Sequence, residues 1–156
     1  MKDENWFELV QGDRSRSGGQ WDIWEATYSP VGTDGYPKRI WDKKTGVIDK
    51  DVAKYWKDHY DLRNILETNW TTLGPKVANK ISVYVGDADT YYLNMGVHML
   101  EDFLKRADDP KWTGEIIFQP MAPHCWGPRG PELFDKIIAQ IDKYAPAGAD
   151  LKSWRY

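Results

Sequence analysis

Between Tyr92 and about Ala107, the apolar residues Leu93, Val97, Leu100 and Leu104 recur on one helical face with Phe103 beside them. Asn94, His98, Asp102 and Lys105 fall mostly on the opposite side, and Asp108-Asp109-Pro110 stops the pattern. Two short apolar runs flank this helix. Lys80–Val85 is rich in β-branched and aromatic residues and reads as a buried strand, and Glu115–Gln119 reads as a second strand opened by Gly114. A last helix begins with Pro131 as its first residue and carries the stripe Phe134, Ile137, Ile138, Ile141 and Tyr144. A strand, helix, strand, helix order over 80–145 predicts parallel strands joined by a crossover, hence an α/β fold. The tail, 146–156, has no strong pattern.

Upstream the periodicity weakens. Residues 1–48 are punctuated by Gly12, Gly18, Gly19, Gly32, Gly35 and Gly46, with Pro30 and Pro37, so this stretch reads as a loop-rich, aromatic segment with a short helix at Gln20–Ala26. From 49 to 79 the pattern becomes helical. Asp49 serves as an N-cap, Val52, Ala53 and Trp56 give helical spacing through about His59, and Asp61 caps a second short helix bearing Leu62, Ile65 and Leu66. Trp70, Leu73, Gly74 and Pro75 read as a linker. The 156 residues are expected to form a single domain, a length at which roughly 70% of the unfolded surface can be buried.

Composition removes several function classes. Charged residues make up 29% and apolar residues 41%, an ordinary globular balance, and the net charge of −3 comes without the basic stripe that nucleic-acid binding requires. No run approaches the ~20 apolar residues of a membrane span. The start, Met1-Lys2-Asp3-Glu4-Asn5, is too polar for a signal peptide, and one cysteine, Cys125, allows no internal disulfide and fixes no compartment. Nine Trp, nine Tyr and four Phe are the unusual feature. Such rings pack irregular regions, and they also line carbohydrate- and protein-binding surfaces, which makes a non-catalytic binding module the alternative reading.

In parallel sheets, ligands sit beyond the carboxyl ends of the strands. Asp87 and Asp89 follow the first strand, and His124 follows the second, so an acid and a histidine meet where proton transfer could be supported. Asp87-Ala88-Asp89 resembles the start of a calcium loop but lacks its glycine and distant glutamate, and no paired histidine spacing suggests zinc. No metal and no cofactor is expected. Cys125 neighbours His124 in sequence, but adjacent side chains in extended backbone point to opposite sides, so it reads as a small, partly buried bystander.

The run Lys80-Ile81-Ser82-Val83-Tyr84-Val85-Gly86-Asp87-Ala88-Asp89-Thr90-Tyr91-Tyr92-Leu93, the helix Gly96–Leu104 and the closing Pro123-His124-Cys125-Trp126-Gly127-Pro128 resemble the C-terminal part of the α/β-hydrolase superfamily, in its esterase branch. Asp49–Gly74 resembles the insert that precedes the acid-bearing strand in some of these proteins. The resemblance implies a partial hydrolase-like sheet, with Asp89 as triad acid by its glycine-x-x-acid spacing, Asp87 in reserve, and His124 as base. It also implies an ester or acylated carbohydrate as substrate. The first half of such proteins supplies the Gly-x-Ser-x-Gly elbow and the oxyanion donors. Here Ser15, Ser17, Ser29, Ser82 and Ser153 all lack that setting. The expectation is therefore a fragment or subunit that is inactive alone. A strand with one neighbour missing predicts a homodimer or a complementary polypeptide.

Overall fold

The computed structural model describes residues 2–153, which fall into two compact units that divide between Thr68 and Asn69. The described chain is mixed α/β, with seven helices and one two-stranded parallel sheet. The helical stretch read over 49–79 spans the division between the units. No described helix is long and apolar enough to cross a membrane.

The first unit holds α1 (Lys2–Gln11), α2 (Gln20–Tyr28), α3 (Lys50–Tyr60) and α4 (Leu62–Thr68). The helices at 20–28, 50–60 and 62–68 follow the sequence reading. Asp49 caps α3 by accepting from the backbone N–H groups of Asp51 and Val52 at 3.0 and 3.1 Å, and Asp61 accepts from Asn64 at 3.0 Å at the start of α4. A carboxylate cap of this kind is worth about 1 kcal/mol. Helix α1 corrects the expectation of loops at the start of the chain. Its apolar residues Trp6, Phe7 and Val10 are exposed while Glu8 is buried, so periodicity could not reveal it.

The interior of this unit is charged. Lys43, 4% exposed, donates its ammonium to Glu8 at 2.6 Å and to Asp22, and both carboxylates are buried. Glu8 also accepts from the Trp21 backbone N–H at 2.8 Å, and Asp22 from that of Ser17 at 2.9 Å. The fully buried Glu25 accepts from the Ser15 hydroxyl at 2.8 Å and from the Ile40 N–H at 3.2 Å. Burial raises the Glu25 pKa, only partly offset by Ser15 and by the charge of Lys43. Burial also works against ionised Asp22, but hydrogen bonds from Lys43 and Ser17 prevail and hold its pKa below the usual value. A turn at 42–46, in which the Asp42 side chain accepts from the N–H groups of Lys44 and Thr45, fixes the backbone that carries Lys43 inward.

The second unit contains α5 (Trp70–Val77), β1 (Ser82–Gly86), α6 (Leu93–Arg106), β2 (Glu115–Gln119) and α7 (Pro131–Tyr144). The linker expected at Trp70–Pro75 is in fact helix α5. Tertiary contacts override the local breakers Gly74 and Pro75: Trp70 is buried edge-on against Phe103, with ring centres 5.3 Å apart, and its indole N–H donates to the Pro110 carbonyl at 2.9 Å. Strands β1 and β2 pair in parallel, in the register Ser82↔Glu115 to Gly86↔Gln119. Gly114 permits this, since a Cβ there would stand 1.8 Å from the Ile81 carbonyl oxygen.

Register puts Val83, Val85, Ile116 and Phe118 on one face of the sheet. Val85 is buried there, and Phe103 and Leu104 of α6 are buried with it. On the other face, the Tyr84 hydroxyl and the Lys136 ammonium of α7 both donate to Glu115. The stripe expected to bury α7 stays largely open, with Phe134 64% and Ile137 45% exposed. Asn94 and His98, on the polar side of the helical pattern, also make contacts at the strand ends. Asn94 donates its side-chain amide to the Asp87 carbonyl at 3.0 Å, and the His98 ring lies parallel to Phe118 at 4.1 Å.

Replacing Lys43 by Met is expected to cost about 3–5 kcal/mol of stability, because it strands two buried carboxylates without their cation. Urea unfolding followed by tryptophan fluorescence reads this directly. A loss below ~1 kcal/mol, the value of a surface pair, would contradict it.

Candidate active site

The parallel register ends both strands level, so the two following loops leave the sheet side by side. They bond to each other at once. The Asp87 N–H donates to the Gln119 carbonyl at 2.9 Å, and the Ala88 N–H donates to the Ala122 carbonyl at 3.0 Å. Gly86 makes this approach feasible, because a Cβ on it would lie 2.3 Å from the Ala122 oxygen and 2.4 Å from the Pro123 oxygen.

The chain then turns at Asp89. One carboxylate oxygen, Oδ1, accepts from the backbone N–H of Tyr91 at 2.8 Å and, more weakly, from that of Leu93 at 3.5 Å, at the start of α6. Partial positive charge at a helix N-terminus favours an anion there. The other oxygen, Oδ2, lies 2.8 Å from His124 Nδ1. A carboxylate only accepts, so the imidazole proton on this side sits on Nδ1, leaving Nε2 as the nitrogen able to take a proton. The Asp89 side chain is 3% exposed and the His124 side chain 36%, so the acid is enclosed and the base is accessible. Burial alone would raise the Asp89 pKa. The hydrogen bond from His124 and those from the Tyr91 and Leu93 N–H groups outweigh it and lower the pKa below the usual value.

Of the two candidate acids, it is Asp89 that the fold brings to His124. Asp87 faces the other way: its carboxylate lies 3.8 Å from Nε2 of His98, with both side chains about half exposed. Sequence reading missed that second acid–imidazole contact and also Tyr91, whose ring stands edge-on to His124 with centres 4.8 Å apart. The aromatic pair Tyr91-Tyr92, which follows Asp89-Thr90, is the available signal. Cys125 is exposed, not partly buried, because it occupies the left-handed region with φ of 64°. Its carbonyl accepts from the Arg129 guanidinium at 2.9 Å.

Serines of the first unit are engaged elsewhere. Ser15 is buried and donates to Glu25, and the Ser29 hydroxyl accepts from the Trp56 indole at 2.9 Å. Ser82 opens β1, at the opposite end of the strand from Asp89. Among the described residues no cluster of three or more His, Cys, Asp or Glu could hold a metal ion. Compared with protein-family models, curated proteins and solved structures, the chain matches none.

Two outcomes follow from this geometry. The lowered Asp89 pKa means its contribution to stability is complete above the usual carboxylate value of about 4 and is lost as pH falls through the lower native value. Asp89→Asn should therefore reduce stability at neutral pH and flatten the acid limb of a urea-unfolding series, and an unchanged acid limb would refute the role. Gly86→Ala should push the two loops apart and abolish the downfield proton resonance of His124 Nδ1–H, and a retained resonance would show that the approach tolerates a Cβ.

Proposed function

We propose that residues 69–156 supply the acid and base of a serine-hydrolase site of the α/β-hydrolase esterase kind, as the C-terminal part of a larger hydrolase. The observation that carries this reading is the 2.8 Å contact between enclosed Asp89 and accessible His124, beyond the carboxyl ends of two parallel strands. In the reaction, His124 Nε2 takes the proton of a serine hydroxyl as its oxygen attacks the ester carbonyl. The protonated base then gives that proton to the departing alkoxide, leaving an acyl-serine. Water repeats the sequence and releases the acid. Asp89 fixes the ring and stabilises the imidazolium formed at each stage. The substrate class is a carboxylic ester, an acylated carbohydrate among them.

The serine and the oxyanion donors come, in this proposal, from a complementary polypeptide. Two observations support a covered surface. Around the strand ends Tyr92, Leu93, Met95 and Met121 are exposed, and α7 leaves its apolar stripe open. An apolar helix stripe left open in this way is the kind of surface that a partner chain covers.

The chain alone, given p-nitrophenyl acetate, is expected to show no turnover above its His124→Ala variant. Joined to a segment bearing a Gly-x-Ser-x-Gly strand and turn, it should gain activity that Asp89→Asn reduces by about 10⁴-fold. Robust His124-dependent hydrolysis by the chain alone would overturn the incomplete-site reading, and activity of the joined protein indifferent to His124 would overturn the hydrolase reading.

A further inference from the structure

The turn that carries Asp89 also carries a residue that touches both halves of the acid–histidine pair. The Tyr92 N–H donates to the Asp89 carbonyl at 3.1 Å, closing residues 89–92 as a tight turn, and inside it the Tyr91 N–H donates to Asp89 Oδ1 at 2.8 Å. Tyr91 is thereby fixed to the same carboxylate whose other oxygen holds His124. From that position its ring stands 4.8 Å from the His124 ring, centre to centre, with the two planes 67° apart. The contacts close a circuit, from Asp89 to His124, from His124 to Tyr91, and from Tyr91 back to Asp89. Neither contact of Tyr91 uses its hydroxyl.

Magnitudes say what the ring contact can do. A hydrogen bond weakens steeply only when it departs from linearity by roughly 60°, so the bond from Nδ1 to Asp89 holds the imidazole plane loosely. Proton transfer at Nε2 needs the ring held to within roughly 10–20°. The His124 side chain is 36% exposed, so burial does not supply the difference. A second ring at a steep angle does, because aromatic pairs prefer the edge-to-face arrangement and resist rotation away from it. Tyr91 is itself half exposed, so its ring lies against His124 without being forced there by a packed core.

We infer that Tyr91 is a positioning residue for His124: its ring sets the plane of the imidazole that Asp89 bonds, and with it the direction in which Nε2 takes or gives a proton. The inference rests on the acid–base reading of this pair, but it concerns a geometry that exists in the chain without a serine.

The test follows the His124 imidazole of the full chain in ¹H–¹⁵N spectra. Ring nitrogen shifts of the neutral imidazole should report the Nδ1–H tautomer, and an Nε2–H tautomer would overturn the pairing and the inference with it. Tyr91→Leu removes the ring and keeps the backbone N–H from which Asp89 accepts. It should speed solvent exchange of Nδ1–H roughly two- to tenfold, the factor that one aromatic pair contact is worth. Tyr91→Phe should retain the parent rate, since the hydroxyl takes no part. Tyr92→Leu, a change at the exposed neighbour in the same turn, should retain it too. If Tyr91→Leu disorders the turn, seen as lost protection of the residue 92 amide, Tyr91→Met takes its place. In the joined protein, Tyr91→Leu should lower kcat by a similar factor with KM unchanged, and Tyr91→Phe should restore it. The inference is overturned if exchange in Tyr91→Leu matches the parent, or if Tyr91→Phe or Tyr92→Leu speeds it equally. A joined protein without turnover, alongside the expected exchange rates, would count against the hydrolase reading alone.

Discussion

Everything in the second unit follows from the parallel register of β1 and β2. Pairing Ser82 with Glu115 and Gly86 with Gln119 makes the two strands end together, so their loops emerge in contact. A shift of one residue would send Val83 and Val85 to the opposite face and move Asp89 away from His124. The register itself is permitted by two glycines. Gly114 admits the Ile81 carbonyl at the entry to the sheet, and Gly86 admits the Ala122 and Pro123 carbonyls at its exit. Site geometry is thus set by backbone approach, and the side chains of Asp89 and His124 are placed by it.

Asp89 shows how one carboxylate can serve structure and chemistry together. One of its oxygens holds the turn into α6 through backbone N–H groups, which locks the side chain, and the other is left for His124. A group tied down in this way loses little freedom when the imidazole is charged. Asp87, two residues earlier, lacks such anchoring and sits half exposed opposite His98. The first unit follows a different logic. Its centre is Lys43 between Glu8 and Asp22, with aromatic rings arranged around the charges. Buried ion pairs contribute little net stability relative to apolar packing, yet each partner becomes indispensable once the others are buried. This unit is therefore specified by charge complementarity, and its apolar surface is turned outward at Trp6, Phe7, Val10 and Ile23.

Legibility in the sequence followed these two logics. Where burial is apolar and caps are local, the pattern was readable: Asp49 marked α3, Pro131 opened α7, and the β-branched runs marked both strands. The acid–histidine pairing was also readable, because strand order alone brings the two loops to one end of a parallel sheet. Helix α1 was not, since its buried residue is Glu8 and its apolar residues face out. Helix α5 was not, because Gly74 and Pro75 are local breakers that the burial of Trp70 overrides. Nor could the pattern show that Asn94 and His98 turn toward the strand ends, as polar residues on a helix carry no mark of what they will meet.

The sequence by itself determined the strand–helix–strand–helix order, the caps, and the presence of an acid and a histidine past successive strand ends, because these depend on neighbours along the chain. Only the tertiary structure decided that Asp89 and not Asp87 reaches His124, that Cys125 turns outward, and that a lysine lies buried between two carboxylates in the first unit. Each of these depends on which distant backbone comes close. That closeness was set by glycines without side chains and by charges whose partners lie 21 or 35 residues away.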